Sequence, residues 1–158
     1  LYSKSFKSVD EVKDGAKIAV QNDATNEARA LLLLASLGLI ELNPEAGLDA
    51  TPNDITSNPK NLQFKELEAA MLPQTIEEVN LSVINANYAL QADLSPAEDA
   101  LAIESSDSEA AQTYANIIVV KEGDENNEAV LALIEAIQSD AVRDFINETY
   151  SGSVVPMF

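Results

Sequence analysis

Three short apolar runs, each bounded by turn-forming residues, fix the kind of fold open to this chain. They are 17–20 (Lys-Ile-Ala-Val), 81–84 (Leu-Ser-Val-Ile) and 115–120 (Ala-Asn-Ile-Ile-Val-Val). Four to six residues is short for a helix and suits a buried strand. Helical spans fall between and after them. One runs from about Asn26 to Leu37 and is closed by Gly38 as a left-handed cap; others cover 74–79, 85–94, 125–139 and 141–150. In the span 125–139, Val130, Leu133, Ile134 and Ile137 recur at i, i+3, i+4 and i+7, the stripe of an amphipathic helix. Strands alternating with helices predict an α/β fold with a mostly parallel sheet. The apolar share of 46% is enough for a core, built mainly from Leu, Ile, Val and Ala because aromatics make up only 5%.

The remaining stretches read as connections. Residues 8–14 form a short helix or turn that Gly15 ends. Residues 43–61 hold three of the six prolines and read as loop with one short helix. Residues 62–67 alternate apolar and polar early on, as a strand exposed on one side does.

Several function classes drop out on composition. The chain has no His and no Cys. That removes disulfides, thiolate metal sites, cysteine nucleophiles, serine triads and histidine-relay hydrolases together. Any enzyme would work with carboxylates, Lys or Tyr alone. The net charge of −18 is uneven: residues 1–80 carry 13 acids and 7 bases, residues 81–158 carry 14 acids and 2 bases. A field of this sign repels nucleic acid and anionic membrane surfaces. The longest apolar stretch, 30–40, is broken by Ser36 and Gly38 and falls well short of the roughly 18 residues of a spanning helix. A binding protein with no cofactor, no metal and no catalytic residue is the expectation.

The site such a protein needs is clearest at residues 22–29. After the strand at 17–20 come Asn22, Asp23, Ala24, Thr25 and Asn26, strong cap and turn formers except Ala24, and then a helix. Free N–H groups and the helix dipole there favour an anion, and ligands in open α/β sheets sit at the carboxyl ends of strands. Arg29, one of two arginines, stands in the first turn against the dipole. Either its fork faces a ligand carboxylate or it pairs with a surface acid. Asn85, Asn87 and Tyr88 follow the strand at 81–84 in the same topological position. Asn85 either joins the cleft, where a neutral amide suits a zwitterion, or caps the next helix. Asn116, at the mouth of the run 115–120, meets either a ligand or a neighbouring loop. The acids at 122–125, Asp99, Glu104, Asp107 and Glu109 have no calcium-loop or glycosidase spacing and read as solvated.

At these residues the chain resembles the methionine-binding lipoprotein family. The matches are Leu1-Tyr2-Ser3-Lys4, Lys7 to Val12, Asn22-Asp23-Ala24-Thr25-Asn26 with Arg29 to Leu34, and Gly38-Leu39-Ile40. Asn58 to Leu62, Glu66 to Ala70, Leu72-Pro73, Val83 to Ala89 and Gly152 to Pro156 continue them along the whole chain. Ala24 departs from the commoner Pro. The resemblance implies a two-lobed, periplasmic-binding-protein-like fold, lipid-anchored outside the cytoplasm, that hands a small zwitterion to the permease of an ABC importer. It implies ligand-carboxylate roles for Asn26 and Arg29, and roles for Asn85 and Asn116 in orienting the α-amino and carboxyl groups. It further implies that residues 10–112 form the second lobe. Residues 1–9 and 113–158 would then be crossover strands and helices of a partial first lobe, because the family begins upstream of Leu1. A chain cut in this way is expected to dimerise or to pair with the missing N-terminal segment. The other reading is a surface lipoprotein fragment with a purely structural or interaction role.

Overall fold

The computed structural model describes residues 1–150 and 152–158. The chain divides into two compact units, Leu1–Glu104 and Ser105–Phe158.

The first unit contains β1 (Lys17–Gln21), α1 (Ala24–Ser36), β2 (Glu41–Leu42), β3 (Ile55–Ser57) and β4 (Gln63–Leu67). It continues with α2 (Leu72–Thr75), β5 (Leu81–Ser82), α3 (Ala86–Gln91) and α4 (Pro96–Asp99). Its main sheet has the order β4-β1-β5, with both pairings parallel. β1 is the central strand, and Ile18, Ala19 and Val20 are all fully buried. That is why it reads as an unbroken apolar run: a parallel strand is covered on both faces. The period-2 alternation sorts its side chains. Ile18 and Val20 enter one cluster with Leu31, Leu34, Leu39, Leu81 and Val83, under α1. Ala19 enters the other with Leu72, Ile76, Val79 and Ile84, under α2.

α1 begins two residues earlier than the sequence reading and ends one earlier, because Asp23 is its cap. At its far end Leu39 N–H donates to Leu34 O (3.0 Å) and Gly38 N–H to Ala35 O (2.9 Å), with Gly38 at φ 70°. This paired closure needs the left-handed residue that glycine supplies without strain. The stretch 43–61 contains more order than expected. It holds two 3-10 turns, Gly47–Asp49 and Pro52–Asp54, and its β3 pairs antiparallel with β2. Strands of two and three residues are too short to leave a period in the sequence.

Tyr2 extends the sheet beyond β5, bridging antiparallel to Ser82 and to Ala100. Its N–H donates to Ser82 O (2.8 Å), and Leu101 N–H donates to Leu1 O (2.8 Å).

The second unit contains α5 (Glu109–Thr113), α6 (Glu128–Ile137) and α7 (Asp140–Tyr150). The expected strand at 115–120 is not formed: these residues have no regular structure. Ile117 and Val119 are each 79% exposed. High β-propensity needs a neighbouring strand to become a strand, and among the described residues none pairs with this run. The apolar stripe of α6 is likewise open, with Leu133 and Ile137 both exposed.

Candidate functional site

The strand order sets the carboxyl ends of β1 and β5 side by side at one end of the sheet. From β1 the chain runs through α1 to β4 on one side; β5 lies on the other side of β1 and leads into α3. The connections leaving β1 and β5 therefore diverge at their carboxyl ends, which is where open α/β sheets take ligands. Asn26 and Asn85 come from these two connections, and the structure brings them together. Asn85 Nδ2 donates to Asn26 Oδ1 at 2.7 Å. Asn85 is the cap residue of α3 but its side chain makes no capping bond; its amide is engaged by neighbouring amides instead.

Two residues extend this contact into a chain of amides. Gln21, the last residue of β1 and only 2% exposed, donates through Nε2 to Asn85 Oδ1 (2.9 Å) and to the Val83 carbonyl (3.2 Å). At the other end Asn26 Nδ2 donates to both carboxylate oxygens of Asp23, at 2.9 and 3.0 Å. Asp23 also accepts the Asn26 N–H at 3.0 Å. Asp23 thus takes one of the first donors of the helix N-terminus and brings a negative charge there.

Arg29 lies one turn beyond Asn26 on α1 and forms an ion pair with Glu104. Its Nε also donates to Glu104 Oε1 at 3.3 Å. Glu104 is thus an ion-pair partner rather than the solvated acid expected. The side chains are 31% and 23% exposed, so the guanidinium sits near solvent and not deep in the core. Asn87 is exposed and Tyr88 half-buried. Asn116 is exposed, in the second unit, within the irregular stretch 115–120.

Glu27, beside Asn26 on α1, is 7% exposed, and its Oε1 meets no partner among the described residues. Burial pushes its carboxyl above the usual range, and the nearby charges of Glu66 and Asp23 push it further. Gln21 and Glu104, which bond to candidate residues, are not among the residues the sequence marks as candidates. Gln21 left one signal, a polar side chain at the exit of an otherwise apolar strand.

The site thus offers neutral amides and one guanidinium, with no histidine or thiol to move a proton. Among the described residues no group of three or more Asp or Glu side chains gathers in the way a metal ion needs, and no helix is long and apolar enough to cross a membrane. The model of the NlpA lipoprotein family matches residues 1–158. The chain belongs to the NlpA lipoprotein family. Among similar members, the D-methionine-binding lipoprotein MetQ of Salmonella typhimurium is 45% identical over 156 residues, covering 98% of this chain and 56% of that protein. Outer membrane lipoprotein 3 of Mannheimia haemolytica is 45% identical over 154 residues, 98% of this chain and 57% of its own length. The chain therefore spans a little over half of these NlpA relatives. Among solved structures, a nutrient-binding protein from Burkholderia cenocepacia bound to methionine superposes with a TM-score of 0.87 at 47% identity, over 99% of this chain and 65% of that one. The α/β fold is that of periplasmic substrate-binding proteins, including one of an ABC transporter from Coxiella burnetii with a TM-score of 0.85 at 43% identity.

Proposed function

We propose that this chain carries ligand-holding residues of an extracytoplasmic solute-binding protein. It captures methionine, or a related small amino acid or dipeptide, for an ABC importer. The observation that carries this reading is the direct Asn85–Asn26 hydrogen bond at the switch point between β1 and β5, with Arg29 one turn away. Amides hold an ammonium or a carboxylate without titrating, and a guanidinium adds the charge that a ligand carboxylate seeks. Nothing in this chemistry makes or breaks a bond, so the protein binds and releases its ligand unchanged. Asn26, Arg29 and Asn85 face the ligand from the lobe spanning residues 10–112. Asn116 is a further candidate ligand residue, carried by the partial first lobe of 1–9 and 113–158. Lipid anchoring of the full-length protein keeps it beside the permease. The exposed apolar residues at 117–119 and on α6 support pairing of this part with further first-lobe structure or with a second copy.

Titration calorimetry of the full-length protein with L- and D-methionine tests the reading. Arg29→Ala is expected to lower affinity roughly 10- to 100-fold, the equivalent of about 1.5–3 kcal/mol for a charge-assisted hydrogen bond. Unchanged affinity in that variant removes Arg29 from the site. No heat with any zwitterion tried favours the purely structural reading instead.

A further inference from the structure

The amide chain has a direction, and the direction is fixed at both ends by groups that cannot reverse. At one end stands the Val83 carbonyl, a backbone acceptor. Only the NH2 side of Gln21 satisfies it, at 3.2 Å. The other N–H of the same nitrogen then reaches Asn85, which must present its oxygen, as it does at 2.9 Å. Asn85 therefore turns its NH2 toward Asn26, which must present its oxygen in turn. Asn26 is left with its NH2 facing Asp23, whose carboxylate only accepts. Reversing any one amide would set oxygen against oxygen or NH2 against NH2 at its own contacts in the row. Gln21 cannot touch a ligand itself, because it is 2% exposed and its Oε1 is sealed from solvent.

We propose that Gln21 is a positioning residue for the zwitterion site: by donating to Asn85 it locks the orientation in which Asn85 and Asn26 face the ligand. This rests on the functional reading above. With the row in this sense, Asn85 keeps one N–H, and each asparagine oxygen keeps one lone pair unused within the row. Donor and acceptor are then sorted before the ligand arrives, the N–H for a carboxylate and the oxygens for an ammonium. Without Gln21 the row is held from the Asp23 end alone, so Asn85 loses one of its two constraints and part of the population turns over to present the wrong face.

Two variants of the full-length protein test this. Gln21→Leu removes the donor and Gln21→Glu replaces it with an acceptor-only group that demands the opposite Asn85 orientation. Methionine affinity is expected to fall on the order of tenfold in Gln21→Leu and further in Gln21→Glu. In an Asn85→Ala background Gln21→Leu is expected to change affinity little, because Gln21 acts through Asn85. A merely structural role would lower the urea midpoint and leave the two effects on binding additive. The Asn85 side-chain NH2 resonances give a readout without ligand, expected to broaden or shift and to exchange faster with water in both variants. If the wild type binds no methionine, the functional reading fails and this inference with it. If the wild type binds and Gln21→Leu binds as tightly, with Asn85 resonances unmoved, the inference alone is overturned.

Discussion

Glu27 is the residue at which α1 departs from a comfortable amphipathic pattern. Its helix neighbours on the buried face are Ala28, Ala30, Leu31 and Leu34, yet it brings a carboxyl with an unpartnered oxygen into the same layer. The charged groups near it are both acids, Asp23 from its own helix cap and Glu66 from β4. Its carboxyl therefore holds a proton more tightly in the folded chain than in the unfolded one. A raised folded-state value means that stability is gained as pH falls through it and lost as pH rises through it. Ionising Glu27 therefore costs the fold stability. Glu27→Gln is expected to raise stability at pH 7 by about 1 kcal/mol in urea unfolding. That gain should shrink toward zero as pH falls below the ordinary value of 4.5, where both side chains are neutral. A constant difference between pH 7 and pH 4 would show that charge is not the cause.

At the scale of elements, α1 holds the sheet and the site in one piece. Leu34 is fully buried against β1 and also supplies the carbonyl that closes the helix with Leu39. Leu34→Ala is expected to cost about 2–5 kcal/mol, and half-buried Leu32→Ala clearly less, in the same unfolding measurement. Equal losses at both positions would mean that the core does not sit where α1 meets β1. This helix and β1 were legible in the sequence because local information specifies them: a cap, an apolar stripe, a glycine stop. The run at 115–120 had the same strand-like composition and forms no strand, because pairing is a property of a neighbour and not of the run. The short β2–β3 pair was missed for the complementary reason, since its pairing partners lie outside any local window. The candidate site divides in the same way. Asn26, Arg29 and Asn85 are candidates because of their place after strands. Gln21 and Glu104 act through partners 64 and 75 residues distant, and nothing local announces such a contact.

At the scale of the whole molecule, the two units differ in how much holds each of them. The first has 17 acids and 7 bases over 104 residues and contains both apolar clusters. The second has 10 acids and 2 bases over 54 residues, and among its described residues Ala110 alone is a buried hydrophobic. Helices of 10 and 11 residues, α6 and α7, are too short to be stable in water on their own propensity. Their stability must come from packing, yet Leu131, Leu133, Ile137 and Phe145 are all exposed. Self-repulsion adds to the burden, acting on a unit that carries a net charge of −8. Backbone amide exchange in this chain is therefore expected to separate the units. Ile18 to Val20 in β1 should open only with global unfolding, while α6 and α7 exchange by local opening at least about a hundredfold faster. Raising salt from about 0.02 to 0.3 M screens the acids and should slow exchange in α6 and α7 more than in β1. Protection in α6 equal to that in β1, at low salt and in a monomer, would refute this ordering; the same protection in a dimer would mean that a second copy covers the exposed apolar stripe.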